Sequence, residues 1–162
     1  GALRNREISA ALREKIMLVT TTINECSYCS WFHARQAVES GISEEEVANM
    51  LKLQFQADAS PFELNALLYA QHFAETNRNP DAEMTAQLFD FYGDKTAKHI
   101  ILLIRMIFFG NLFGNTWAAV LNRFKGKPNE QSNFIFDCFF FVLVFWFMWI
   151  PEILTKKKGG PQ

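Results

Sequence analysis

Cysteine is scarce in this chain, with 3 in 162 residues, an odd number and too few to staple a small secreted scaffold. An excess of either charge is also missing. The formal net charge is -1, which gives no electrostatic reason to expect nucleic acid as a partner. Alternating apolar and polar runs of the kind that build half-buried strands are absent. No basic stretch followed by a short apolar run and a cleavage site opens the chain, so no secretory signal is legible. The first residue is Gly1 rather than Met, which leaves any upstream targeting segment outside the sequence. The cysteines leave one close pair plus Cys138, an arrangement that favours a reducing compartment with a working pair, and a cytoplasmic location is expected.

What is present is apolar and aromatic. Hydrophobic residues make up 49% and charged residues 20%, with 17 phenylalanines, many of them in the last third. That composition excludes a disordered chain and supports one domain with a real core. Ile8, Ala11, Leu12, Ile16, Val19 and Ile23 recur at helical spacing through Ser9–Ile23. A break at Asn24-Glu25 predicts a join to a second helix, starting near Cys26 and running to Ser40, with Gly41 beyond its end. Ser43 with Glu46 forms a capping-box pattern for a third helix reaching about Phe55. The fourth start is sharper: Ser60 caps, Pro61 suits the first helical position and Glu63 completes the box. "NRNPD" ends it, and a fifth helix follows from Asp81 to Tyr92, terminated by Gly93. A sixth begins after Asp94 and continues into "IILLIRMIFFGNLFGN", and "TWAAVLNRF" is a further segment ending at "GKP". The expected fold is all-α.

After Ser132 the character changes. The apolar run through 134–150 is interrupted by Asp137 and closed by Pro151. As a helix it covers roughly 25 Å, somewhat less than the ~30 Å hydrocarbon core of a bilayer. Trp146 and Trp149, followed by Lys156, Lys157 and Lys158, suit a membrane interface with a cytoplasmic terminus. A helix buried between subunits would be equally apolar on all sides. The expected organisation is a helical domain over 1–128 carrying the thiols, and an apolar segment with a basic tail over 129–162.

The chemistry is concentrated in "NECSYCSWFH", Asn24 to His33. On a helix beginning near Cys26, the side chains of Cys26, Cys29 and His33 fall at i, i+3 and i+7 on one face. Thiols three apart in a first turn can approach disulfide geometry, and the positive end of the helix favours thiolate. His33, one turn beyond Cys29, can take the thiol proton, which makes Cys29 the better-placed nucleophile and Cys26 the resolving thiol. Zinc is the competing use of such a pair. It normally wants four ligands, and His72, His99 and Cys138 are isolated in the sequence. A third reading treats the three residues as core, since a helical cysteine is usually a small buried hydrophobe.

The order and spacing of "EKIMLVTTTINECSYCSWFHARQAVESGISEEEV" resemble the AhpD-like, or carboxymuconolactone decarboxylase-like, all-helical proteins. Their signature is a glutamate on one helix, Cys-x-x-Cys-x-x-x-His at the start of the next, and a glycine closing it. Glu14, Cys26, Cys29, His33 and Gly41 match those positions, and the likeness extends over roughly residues 4–128. Taken alone, Glu14 reads as a solvated surface carboxylate, and only the resemblance singles it out. The resemblance implies an AhpD-like helical bundle, here with an additional apolar C-terminal helix. It also implies a thiol-dependent hydroperoxide or disulfide reductase. In it Cys29 attacks, Cys26 resolves, and Glu14 and His33 relay protons. No cofactor is implied beyond the Cys26–Cys29 disulfide, and an external dithiol reductant protein is required. A homo-oligomer, trimer or hexamer, is the family habit. Tyr28 departs from the best-known AhpD members, which carry a histidine there. A phenol is no base near neutral pH but can donate a hydrogen bond, so Tyr28 is at most an accessory. The decarboxylase branch, which generally lacks paired cysteines, fits less well.

Two further expectations follow. The apolar segment raises the prospect of a lipid hydroperoxide substrate, or of work at the inner face of a membrane through 134–150. The alternative to an enzyme is a membrane-associated helical assembly protein whose thiol pair is a redox switch or a relic. In "GNLFGNTW", Gly110 and Gly114 recur four apart, as do Asn111 and Asn115. Small residues at that spacing more often permit close helix packing than bind a ligand, which leaves the asparagines as weak candidates for a polar pocket wall.

Overall fold

The computed structural model describes residues 8–127, 133–136 and 138–143. It divides into two compact units, Gly1–Gly114 and Asn115–Gln162. The expected junction at 128–129, Asp137, the interfacial Trp146 and Trp149 and the lysines 156–158 lie outside the described residues. Among the described residues every element is a helix: α1 Ala10–Ile23, α2 Ser27–Glu39, α3 Glu44–Met50, α4 Pro61–Glu75, α5 Ala82–Phe124, and a short apolar α6, Phe134–Leu143. The expected all-α fold class is therefore correct among the described residues.

Helix α1 is the axis of the first unit. Ser9 caps it by accepting from Leu12 N, and Lys15 through Thr21 are all buried. Periodicity marks one apolar face of this helix. In the fold it is enclosed on more than one side, with α2 and α4 packed against it and α3 touching it. Lys15, Thr20 and Thr21 are buried with it, and each finds a partner. Thr20 donates to Ile16 O at 2.9 Å. Lys15 meets Glu46 of α3 at 2.6 Å and Glu63 of α4 at 2.8 Å, so one ammonium ties three helices together.

That triad also decides the caps. Ser60 and Glu63 form the full reciprocal box expected. Ser43 accepts from Glu46 N at 3.1 Å, but the Glu46 carboxylate is taken by Lys15. Helix α3 ends at Met50 rather than near Phe55, because the chain turns through Leu53 at φ 58°. The turn delivers Phe55 into the core, where it is almost wholly buried.

Burial by itself pulls the Lys15 ammonium down, but its hydrogen bonds to Glu46 and Glu63 outweigh that and hold it above its ordinary value. Glu63 is pushed up by burial, yet Lys15 and the Ser60 amide and hydroxyl bring it below its ordinary value. The linkage has two signs. The Glu63 contribution is present above its unfolded value of 4.5 and is lost as pH falls through the lower folded value. The Lys15 contribution is full below 10.5 and is lost as pH rises through the higher folded value. Lys15→Met leaves the carboxylates of α3 and α4 facing each other without a cation. The carboxylates are about one-fifth exposed, so the expected loss at neutral pH, read by urea unfolding, is about 1.5 kcal/mol, between surface and fully buried pairs. Adding Glu46→Gln and Glu63→Gln to Lys15→Met should recover part of it and flatten the acid limb.

Helix α4 is clamped at its start by Tyr92, whose hydroxyl donates to Phe62 O and accepts from Ala66 N. Helix α5 is interrupted at Gly93, with φ 72° and ψ 165°, a conformation that glycine adopts without strain. The breaker thus acts where expected, but the second part runs unbroken through the "GNLFGN" stretch to Phe124. "TWAAVLNRF" continues the same helix and is not a separate segment. Ile100, Leu103, Ile104, Ile107 and Asn111 form its buried face in the first unit. By length and composition α5 contains a stretch able to cross a bilayer, and a core helix of this kind passes the same test. In the second unit, Trp117 stacks on Phe141 with centroids 5.2 Å apart, and the Arg123 guanidinium lies over Phe134.

Candidate functional site

The connection from α1 to α2 is short and sharply turned. Glu25 adopts φ 53°, and Cys26 N then donates back to Thr21 O at 3.3 Å. Cys26 becomes the N-cap of α2 with no side-chain capping bond, which frees its sulfur. Cys29 stands one turn on, and the two sulfurs are joined in a disulfide with Cα atoms 5.3 Å apart. The spacing expected from the sequence is thus realised at the first turn of the helix. Cys26 is 0% exposed and Cys29 7% exposed, so both are buried, Cys26 the more completely.

His33 follows one turn after Cys29, and its Nδ1 lies 2.8 Å from Glu14 Oε2 on α1. Glu14 is not a solvated surface residue. As a carboxylate it can only accept, which places a hydrogen on Nδ1. Tyr28 points away from this arrangement: it is 65% exposed and pairs with Trp31, ring centroids 6.1 Å apart. His72, a weak zinc candidate, accepts from Asp81 N at 3.0 Å at the mouth of α5. Among the described residues no cluster of His, Cys, Asp and Glu has the makings of a metal site.

The second part of α5 closes the site from the other side, and here the sequence reading missed the main point. A Cβ on Gly114 would lie 2.7 Å from Cys26 Sγ and 3.0 Å from Cys29 Sγ. Glycine is required there because the disulfide occupies the space of the side chain. Gly110 is different: a Cβ would meet nothing closer than 3.9 Å, while its carbonyl lies 3.9 Å from Cys29 Sγ. Asn111 is buried and accepts from Thr21 Oγ1 at 2.9 Å. Four-residue spacing of small residues was the available signal, and it could not say that sulfur, rather than another backbone, was the neighbour.

Fold and site together define an all-helical arrangement with a buried cysteine pair at a helix start and a Glu–His pair one turn further on. The model of the carboxymuconolactone decarboxylase family matches residues 1–72, so a stretch containing Glu14, Cys26, Cys29 and His33 is similar to that family. The family includes decarboxylases and alkylhydroperoxidase-like enzymes, and a close Cys26–Cys29 pair is consistent with thiol redox activity. Comparison with curated proteins gives no match. Comparison with solved structures gives none either.

Proposed function

We propose that the protein is a thiol-dependent hydroperoxide reductase in which Cys29 is the attacking sulfur. The observation that carries this reading is the graded burial of the pair, Cys26 being 0% and Cys29 7% exposed, with Cys29 one turn from a histidine fixed by Glu14. In the reduced enzyme the Cys29 thiolate attacks the distal peroxide oxygen. The O–O bond breaks, the alkoxide takes a proton and leaves as alcohol, and Cys29 becomes a sulfenic acid. In this reading His33, one turn on from Cys29, accepts the Cys29 proton and returns it to the leaving oxygen, with Glu14 holding its ring. The Cys26 thiol then displaces hydroxide from the Cys29 sulfur, which forms the disulfide and releases water. A dithiol protein restores the pair by attacking Cys29 and expelling Cys26, becoming a disulfide itself. Oligomer formation belongs to the same proposal, as does work at a membrane surface through 134–150. The exposed Phe134, Ile135, Phe136, Phe139, Val142 and Leu143 of α6 favour such contact, and failure of the purified protein to bind liposomes would remove the membrane part.

The direct test is thiol titration of the reduced protein with a stoichiometric hydroperoxide. The expected result is loss of two thiols per chain with a Cys26–Cys29 link in the peptide map. Thiols that stay reduced in excess hydroperoxide, with the fold intact, would sink the reading. They would leave the redox-switch or vestigial-pair alternative.

A further inference from the structure

Asn111 has an unusual position for an amide. It is 1% exposed, and its Oδ1 accepts from Thr21, while its Nδ2 is buried with no hydrogen-bond partner. A buried amide N–H without an acceptor costs stability that nothing in the oxidised state returns. Its neighbours on both sides lead to the disulfide. Gly110, one residue before, has its carbonyl 3.9 Å from Cys29 Sγ. Gly114, three residues after and on the same helical face, abuts both sulfurs. Thr21, the partner of the amide, accepts from Cys26 N through its own carbonyl.

A dithiol donor attacks Cys29, the Cys26–Cys29 bond breaks, and its electron pair leaves on Cys26. The second donor thiol then releases Cys29 and closes the donor's own disulfide. The leaving sulfur is the one that is wholly buried, where a thiolate without a hydrogen-bond donor is strongly disfavoured. We infer that Asn111 is a positioning residue of the redox pair, its Nδ2–H held in reserve for the thiolate that forms when the disulfide is reduced. The amide is unsatisfied in the oxidised protein and satisfied in the reduced one, so it raises the tendency of the pair to be reduced. This rests on the thiol redox reading above, and it adds what sets the potential of the pair.

The test is the equilibrium of the folded protein with reduced and oxidised dithiothreitol, read by alkylation and mass. A hydrogen bond to a charged group corresponds to about tenfold in an equilibrium constant. Asn111→Ala should therefore lower the reduction constant about tenfold, equivalent to a potential about 30 mV more negative. Asn111→Asp keeps the shape and places a carboxylate beside the thiolate, so it should lower the constant at least as far. It also serves if the alanine variant does not fold. Thr21→Val removes the amide's present partner but leaves Nδ2, and it should leave the constant near wild type. Thiolate absorbance of the reduced protein against pH should move up in both Asn111 variants and stay in place in Thr21→Val. Constants unchanged in the Asn111 variants, or moved as far by Thr21→Val, overturn the assignment. A wild-type disulfide that never equilibrates with dithiol defeats the redox reading and this inference together. One that equilibrates alike in all variants defeats only the role of Asn111.

Discussion

Cys29→Ser is expected to reduce hydroperoxide consumption to the rate of buffer, while Cys26→Ser retains one turnover and then stalls. The asymmetry follows from burial. A serine hydroxyl at 29 cannot attack peroxide without the ionisation a thiol provides, and Cys26, fully enclosed, cannot replace it from behind. With serine at 26, the Cys29 sulfenic acid forms but has no resolving thiol. A dimedone adduct at Cys29 in Cys26→Ser, and none at Cys26 in Cys29→Ser, is the expected mass spectrum. Equal single-turnover activity in the two variants would reverse or dissolve the assignment of roles. In the same assay His33→Ala should cost about 10²-fold in rate, as for loss of a positioned acid–base group. Glu14→Gln should cost less, because Gln Oε1 still accepts from Nδ1, although the charge is gone.

The second large effect is expected at Gly114, where two opposing terms can be weighed. Alanine in a helix interior gains about 1 kcal/mol over glycine. Its Cβ would stand 2.7 Å from Cys26 Sγ and 3.0 Å from Cys29 Sγ, and neither sulfur is the free end of a flexible side chain, because each is tied to the other and to the backbone. Overpacking of this kind reaches about 3 kcal/mol, so Gly114→Ala should destabilise the oxidised protein by about 2 kcal/mol net. Gly110→Ala, with its nearest neighbour at 3.9 Å, is the matched control and should be neutral or slightly stabilising. Unfolding in urea with and without reductant separates the causes. Reduction frees the sulfurs to part, so the Gly114→Ala penalty should shrink in the reduced protein, while that of an ordinary core defect would not. A penalty indifferent to reductant would show that the sulfurs are not what the side chain meets.

Some of this was legible along the chain because it depends on residues close in sequence. The capping box at Ser60–Glu63 and the breakers at Gly41 and Gly93 are decided by neighbours within one turn. So is the meeting of Cys26 with Cys29. Glu14 came only through the family pattern, since its contact with His33 spans 19 positions and no periodicity marks it. The third helix was read as too long because capping signals fix starts, whereas its end was set by the burial of Phe55. Lys15 looked like any helical lysine, and its two carboxylates lie on separate helices.

By itself the sequence determined an all-helical chain with a thiol pair at a helix start and a histidine one turn on, because helix geometry fixes what residues three and four apart can touch. The tertiary structure alone decided which cysteine of the pair is the more deeply buried, why position 114 has no side chain, and that the Asn111 amide nitrogen is buried without a partner. Those facts depend on α5 closing over the start of α2, a contact about 80 residues long in sequence. Packing at that separation leaves no periodic trace in the residues that make it.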